Sequence, residues 1–258
     1  MTHGSGDVHG RAGHRGGAPV ALVTGGTAGA GAAVARRLAA EGMRVVVNMA
    51  HGRAAGEVPA AGLPDALYVA ADIAVRAEAE ALVAAAVRRH GRLDVLVNSL
   101  DVPRHGPRRE AEEWREFFDV DVVGTWQMCL AALPQLRAGG AGRVVNVGAV
   151  ADARSAGGRV PRAVSQAAAL TDLTRLLAAV TGPRVRVDAV VPGLADAARA
   201  ETCEEVAEAV YALLESRSDG TDGVTGARRL APALTAPRAS AVRSAGALRA
   251  RSFGPARP

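Results

Sequence analysis

A chain of 258 residues is long enough for one α/β domain with a sizeable core and short for two. Its formal charge of +5 sits in the tails: residues 231–258 carry five arginines and no acid, residues 1–18 carry two arginines and one aspartate, and residues 19–230 are nearly neutral. With 3% aromatic residues and no basic stripe on the body, nucleic acid is not an expected partner, and no apolar run reaches the roughly 18 residues of a membrane span.

Residues 1–18 are rich in Gly, His and Arg, lack the apolar segment of a secretion signal, and read as a disordered tail. His3, His9 and His14 in that tail are not at the spacing of a compact metal site, and no metal is expected. From residue 19 onward, short β-branched runs at 19–25, 44–50, 66–72, 93–99, 142–148 and 185–191 alternate with Ala-rich stretches predicted as helices at 29–41, 75–90, 111–137, 161–181 and 201–216. That alternation predicts a single α/β domain over residues 19–230, a Rossmann-like doubly wound parallel sheet covered on both faces. The segment from His51 to Pro64 is too broken by Gly and Pro for a helix. Residues 231–258, rich in Ala, Pro and Arg, read as a second disordered tail. Cys129 and Cys203 fall in helical context without ligand or redox spacing, so reduced, buried thiols and a cytoplasmic location are expected.

Residues 19–31, PVALVTGGTAGAG, describe a strand, a glycine turn and a helix start. Gly25, Gly29 and Gly31 remove side chains where a dinucleotide pyrophosphate meets the amides and dipole of a helix N-terminus. The pattern resembles the short-chain dehydrogenase/reductase (SDR) family, on Thr24, Gly25, Gly29 and Gly31 for its TGxxxGxG motif, Asp72 for its adenine-holding acid, Asn98 for the first Asn of NNAG, and Pro192 and Gly193 for its PG turn. The resemblance implies a nicotinamide dinucleotide held by Thr24, Gly25, Thr27, Gly29, Ala30, Gly31, Asn48, Arg53, Asp72, Ile73, Asn98, Pro192 and Gly193. NNAG has become NSLD, which puts Leu100 and Asp101 where small residues normally stand. Asn48 in place of an acid after the second strand, with His51 and Arg53 nearby, leans the expectation toward NADP(H) over NAD(H), in a redox or a structural role.

The family's reacting residues are a Ser, a Tyr, a Lys and an Asn. Carried over, these positions hold Ala149, Arg162, Gln166 and Asp121. The chain has no lysine at all, since every one of its 31 basic residues is Arg, and a guanidinium that stays charged does not shuttle protons. The expectation is therefore a non-redox step such as cyclisation, isomerisation or dehydration of a small, polyketide-like metabolite. In it Arg162 anchors negative charge and Asp121 or His105 is the base. Two alternatives stand beside it: a non-catalytic NADP-binding subunit paired with an active reductase, and an atypical NADPH-dependent ketoreductase. The family pairs its subunits through the helices predicted here at 111–137 and 161–181, which implies a homo-oligomer or an assembly with an active SDR.

Overall fold

Valine-rich runs fit the pleated, doubly covered surface of a parallel sheet, and each becomes a strand: β1 (Val20–Thr24), β2 (Arg44–Met49), β3 (Leu67–Ala70), β4 (Val95–Ser99), β5 (Gly142–Val147) and β6 (Val185–Val190). The computed structural model describes residues 17–49, 63, 66–99, 114–116, 118–148, 159–191 and 203–216, with backbone alone at 49 and 159–164. The strands form one sheet in the order β3-β2-β1-β4-β5-β6 with every pair parallel. This is the doubly wound arrangement expected from the alternation.

The helices are α1 (Gly29–Ala40), α2 (Arg76–His90), α3 (Thr125–Ala138), α4 (Arg159–Thr181) and α5 (Cys203–Glu215). Because strand side chains alternate, Leu22, Val46, Leu96 and Val144 pack beneath α2, α3 and α4. Val23, Val47, Val97 and Val145 pack beneath α1 and α5. α2 stops where Gly91 turns left-handed (φ 76°) and returns its N–H to the Val87 carbonyl at 2.7 Å. At the opposite end of the sheet from the glycine turn, Arg186 grips Asp188 (2.8 Å) and donates to the Ser216 carbonyl (2.9 Å), which holds the C-terminus of α5.

One predicted helix departs from expectation. The region 111–137 is not a continuous α-helix: residues 114–116 are helical, Phe118–Gly124 is a π-helix, and α3 begins only at Thr125. A π-turn widens the backbone by one residue and persists only where packing holds it. Gly124 supplies part of that packing, since a Cβ there would lie 2.9 Å from Ile73 Cγ1. The Thr125 hydroxyl closes the turn by donating to the Asp121 carbonyl at 2.8 Å.

At the carboxyl ends of the strands the apolar pattern breaks. Thr24, Asn48, Asn98 and Asn146 are each at most 2% exposed, and each follows by two residues a strand position that faces α2, α3 and α4. Among the described residues no helix is long and apolar enough to cross a membrane, and no cluster of metal-binding side chains occurs.

Cys129 lies in this core, as expected of a reduced thiol. Burial pushes its pKa up to about 12, against a smaller opposing pull from the Asn98 amide. The thiolate, not the thiol, attacks a disulfide reagent, so Cys129 should resist such a reagent at about pH 8 in the native protein and label only on unfolding. The unfolded thiol ionises near its ordinary value and the folded one far higher. The stability contributed here is therefore intact below the unfolded value and lost as pH climbs toward 12; denaturation midpoints across that range test the sign.

Candidate active site

β1 ends in a turn that only glycine permits at two places. Gly25 (φ 59°) and Gly29 (φ 52°) both take left-handed backbone. Gly31 then lets α1 close on the turn, because a Cβ there would lie 2.4 Å from the Gly25 carbonyl oxygen. Ala28, the residue before α1, offers no side-chain cap, and the first helical turn carries no acid. The leading amides of α1 thus emerge from a glycine-rich cradle at the strand ends, which fits the pyrophosphate of a dinucleotide.

Around this cradle the predicted residues divide by what their side chains do. Thr24 is buried and its hydroxyl accepts the Ser99 N–H at 3.2 Å, tying the start of the turn to β4. Thr27 is half-buried in the turn. Ala30 and Ile73 put their side chains in the core and leave only backbone toward the cleft. Asp72 accepts the Ala74 N–H (2.9 Å), while its own N–H donates to Glu78 (2.7 Å). Asn48 turns its carboxamide into the sheet, donating to the Val69 and Ala71 carbonyls at 3.1 Å each; the group expected to face the ribose serves the β2–β3 seam. Asn98 likewise points into the core and donates to Asn146 Oδ1 at 2.9 Å. Arg53, Leu100, Asp101, His105, Ala149, Pro192 and Gly193 lie outside the described residues.

Two of the positions carried over from the family, 121 and 166, are in contact. Asp121 sits in the π-turn, 4% exposed, and Gln166 on α4 is 2% exposed. Gln166 Nε2 donates to Asp121 Oδ2 at 2.8 Å. A carboxyl group removed from water is costly unless hydrogen-bonded, and the Gln166 amide supplies such a bond to Oδ2. Arg162 stands one helical turn before Gln166 on the α4 backbone, at the i,i+4 spacing of neighbours on one face. Tyr211 is committed elsewhere: its hydroxyl donates to Glu41 at 3.0 Å on the surface of α5. Tyr68 packs against the α1 and α5 side of the sheet.

Two buried residues of this neighbourhood were not anticipated. Asn146 on β5 donates to Thr174 Oγ1 on α4 at 2.9 Å, both inside the core. The available signal was an Asn interrupting the valine run RVVNV.

Residues 19–207 match the family description "short chain dehydrogenase". The chain is a member of the short-chain dehydrogenase/reductase family. Over 182 residues it is 52% identical to a Streptomyces violaceoruber protein named as ketoacyl reductase 2 of the granaticin polyketide synthase, covering 69% of this chain and 73% of that one. It is 37% identical over 192 residues to the short-chain reductase protein NovJ of Streptomyces niveus, with 67% and 68% covered. Among solved structures, a point variant of actinorhodin polyketide ketoreductase with NADPH superposes with a TM-score of 0.65 at 29% identity, covering 80% of this SDR and 94% of that chain. The SDR family binds nicotinamide cofactors, and the glycine cradle is where this member would hold one.

Two outcomes follow from the geometry. Gly31→Ala must displace backbone rather than a side chain, so chemical denaturation should register a loss of about 1–3 kcal/mol. Gln166→Leu strips a donor from a buried carboxylate and should cost about 1–3 kcal/mol. The double variant Asp121→Leu with Gln166→Leu should recover most of that loss, because neither partner is left stranded; non-recovery in urea titrations would contradict the pairing.

Proposed function

We propose that this SDR is an atypical NADPH-dependent ketoreductase acting on a carbonyl of a small, polyketide-like metabolite. The 52% identity to a protein named for the granaticin polyketide synthase carries the reading. The fold likeness to actinorhodin ketoreductase with NADPH supports it. The expectation of a non-redox step, drawn from the substituted reacting residues alone, has less support than this alternative.

A bound reduced nicotinamide supplies hydride. The chain itself must hold the carbonyl and deliver a proton without the family's Tyr and Lys. In the proposed arrangement Arg162 carries the permanent positive charge that stabilises the developing alkoxide. Asp121, oriented by Gln166, relays the proton from solvent to that oxygen. The preference for NADPH rests on the absence of an acid at Asn48. The non-redox reading is kept as the second, favoured by one observation: a carboxylate–amide pair stands where the family has its Asn and Lys, and it suits abstraction of a proton next to a carbonyl.

The test is NADPH consumption with a bicyclic ketone as probe. Turnover is expected below about 1 per second, the lower end of ordinary enzymes. Asp121→Asn should lower it by about 10²-fold with NADPH affinity unchanged. If NADPH is untouched while the ketone is converted to an isomer or a dehydrated product, the second reading replaces the first.

We also propose self-association through α3 and α4. Phe118 and Val123 of the π-turn, Leu130 of α3, and Leu176 and Val180 of α4 are large apolar side chains left exposed. Leu176→Glu with Val180→Glu should convert an oligomer to a monomer in light scattering without lowering the melting temperature of the subunit. An unchanged mass would remove these helices from the interface.

A further inference from the structure

We infer that Thr174 is a positioning residue that sets the Asp121–Gln166 pair from the floor of the sheet. The inference rests on that pair being the proton-handling site. α4 buries Gln166 (2% exposed), Leu170 (1%), Thr174 (3%), Leu177 (1%) and Thr181 (6%) on one broad face. Three of these five are polar, and each is held by a different part of the fold, Thr181 by the Val185 carbonyl at the start of β6. Gln166 meets the π-turn through Asp121 at 2.8 Å. Thr174 accepts from Asn146 of β5 at 2.9 Å, and Asn146 accepts from Asn98 of β4 at 2.9 Å. The residue after Asn98, Ser99, donates its N–H to Thr24 at the mouth of the glycine turn, 3.2 Å away.

These bonds form a buried polar line from the glycine turn, across β4 and β5, to α4. Eight helical residues separate Thr174 from Gln166, about 12 Å along a stiff rod. Pinning the rod at Thr174 fixes its axial position and rotation, and so where the Gln166 amide arrives at Asp121. Valine fills the same space as threonine, and packing alone would accept it. What valine lacks is the oxygen that satisfies Asn146. With it α4 keeps its apolar contacts and its bond from Thr181 to the Val185 carbonyl at 3.0 Å, and loses the polar contact that lies nearer Gln166.

The chain has three glutamines, at 127, 135 and 166, so side-chain amide labelling gives a nitrogen–proton spectrum simple enough to assign Gln166 through Gln166→Leu. Asp121→Leu supplies the reference position of a Gln166 amide without its carboxylate. Thr174→Val is expected to move the Gln166 signal by more than half of the way to that reference, and Thr174→Ser to leave it in place. Leu213→Ala, on the other side of the sheet, should lower the melting temperature and leave the signal alone. If Thr174→Val does not fold, Thr174→Cys, whose sulfur is a weak acceptor, should give the same displacement. An unmoved signal in the folded variant, or equal movement in Leu213→Ala, overturns the inference. No cofactor, substrate or turnover enters the measurement, so it fails or succeeds separately from the ketoreductase reading.

Discussion

Parallel pairing is the constraint on which everything else here rests. When all six strands run the same way, every carboxyl end reaches one edge of the sheet, and whatever polar groups the strands carry there are brought into a row. Thr24, Asn98 and Asn146 are direct neighbours in that register. Polar side chains this deep are tolerated only when they satisfy one another. The row is hydrogen-bonded sideways along the sheet and upward into α4, so one line of bonds reaches from the glycine turn to the helix that carries Gln166.

The division of labour across that edge is uneven. On one side lies a cradle made of backbone, where the controlling feature is the absence of side chains at Gly25, Gly29 and Gly31. On the other lies a site made entirely of side chains, with Asp121 and Gln166 in it and Arg162 on the same helix. The two halves obey different rules. A backbone cradle tolerates little change of residue type, whereas a side-chain site depends on the match between its members, here the hydrogen bond from Gln166 to Asp121. The SDR fold carries both halves on the same sheet.

Much of this was legible in the residues. Strand runs such as PVALVTG and LDVLVNS, the glycine spacing and the Ala-rich helices led directly to the sheet and its layers. That positions 121 and 166 belong to one site came from a resemblance, and their hydrogen bond only from the structure. The π-turn at Phe118–Gly124 was not legible, because nothing in FDVDVVG distinguishes a π-turn from an α-turn. Its cause is tertiary: Gly124 pressed against Ile73, and Asp121 drawn toward α4. Asn48 was read as a ribose contact because its position after β2 was visible and its register against β3 was not; that register puts the Val69 and Ala71 carbonyls within its reach. Thr174 escaped notice because a threonine in the middle of a helix normally bonds its own backbone, as Thr171 does to Ala167.

The closeness of Gly31 to the Gly25 carbonyl bears on how such a protein changes over generations. Any side chain at 31 requires the turn and the helix to move together, so no single codon change alters this corner gradually. Positions 121 and 166 meet through side chains rather than backbone, so they can change together, as a pair that keeps its hydrogen bond, without moving the turn. On such a frame the corner between strand and helix is fixed by backbone contact, while the opposite side of the sheet edge is fixed only by which side chains match.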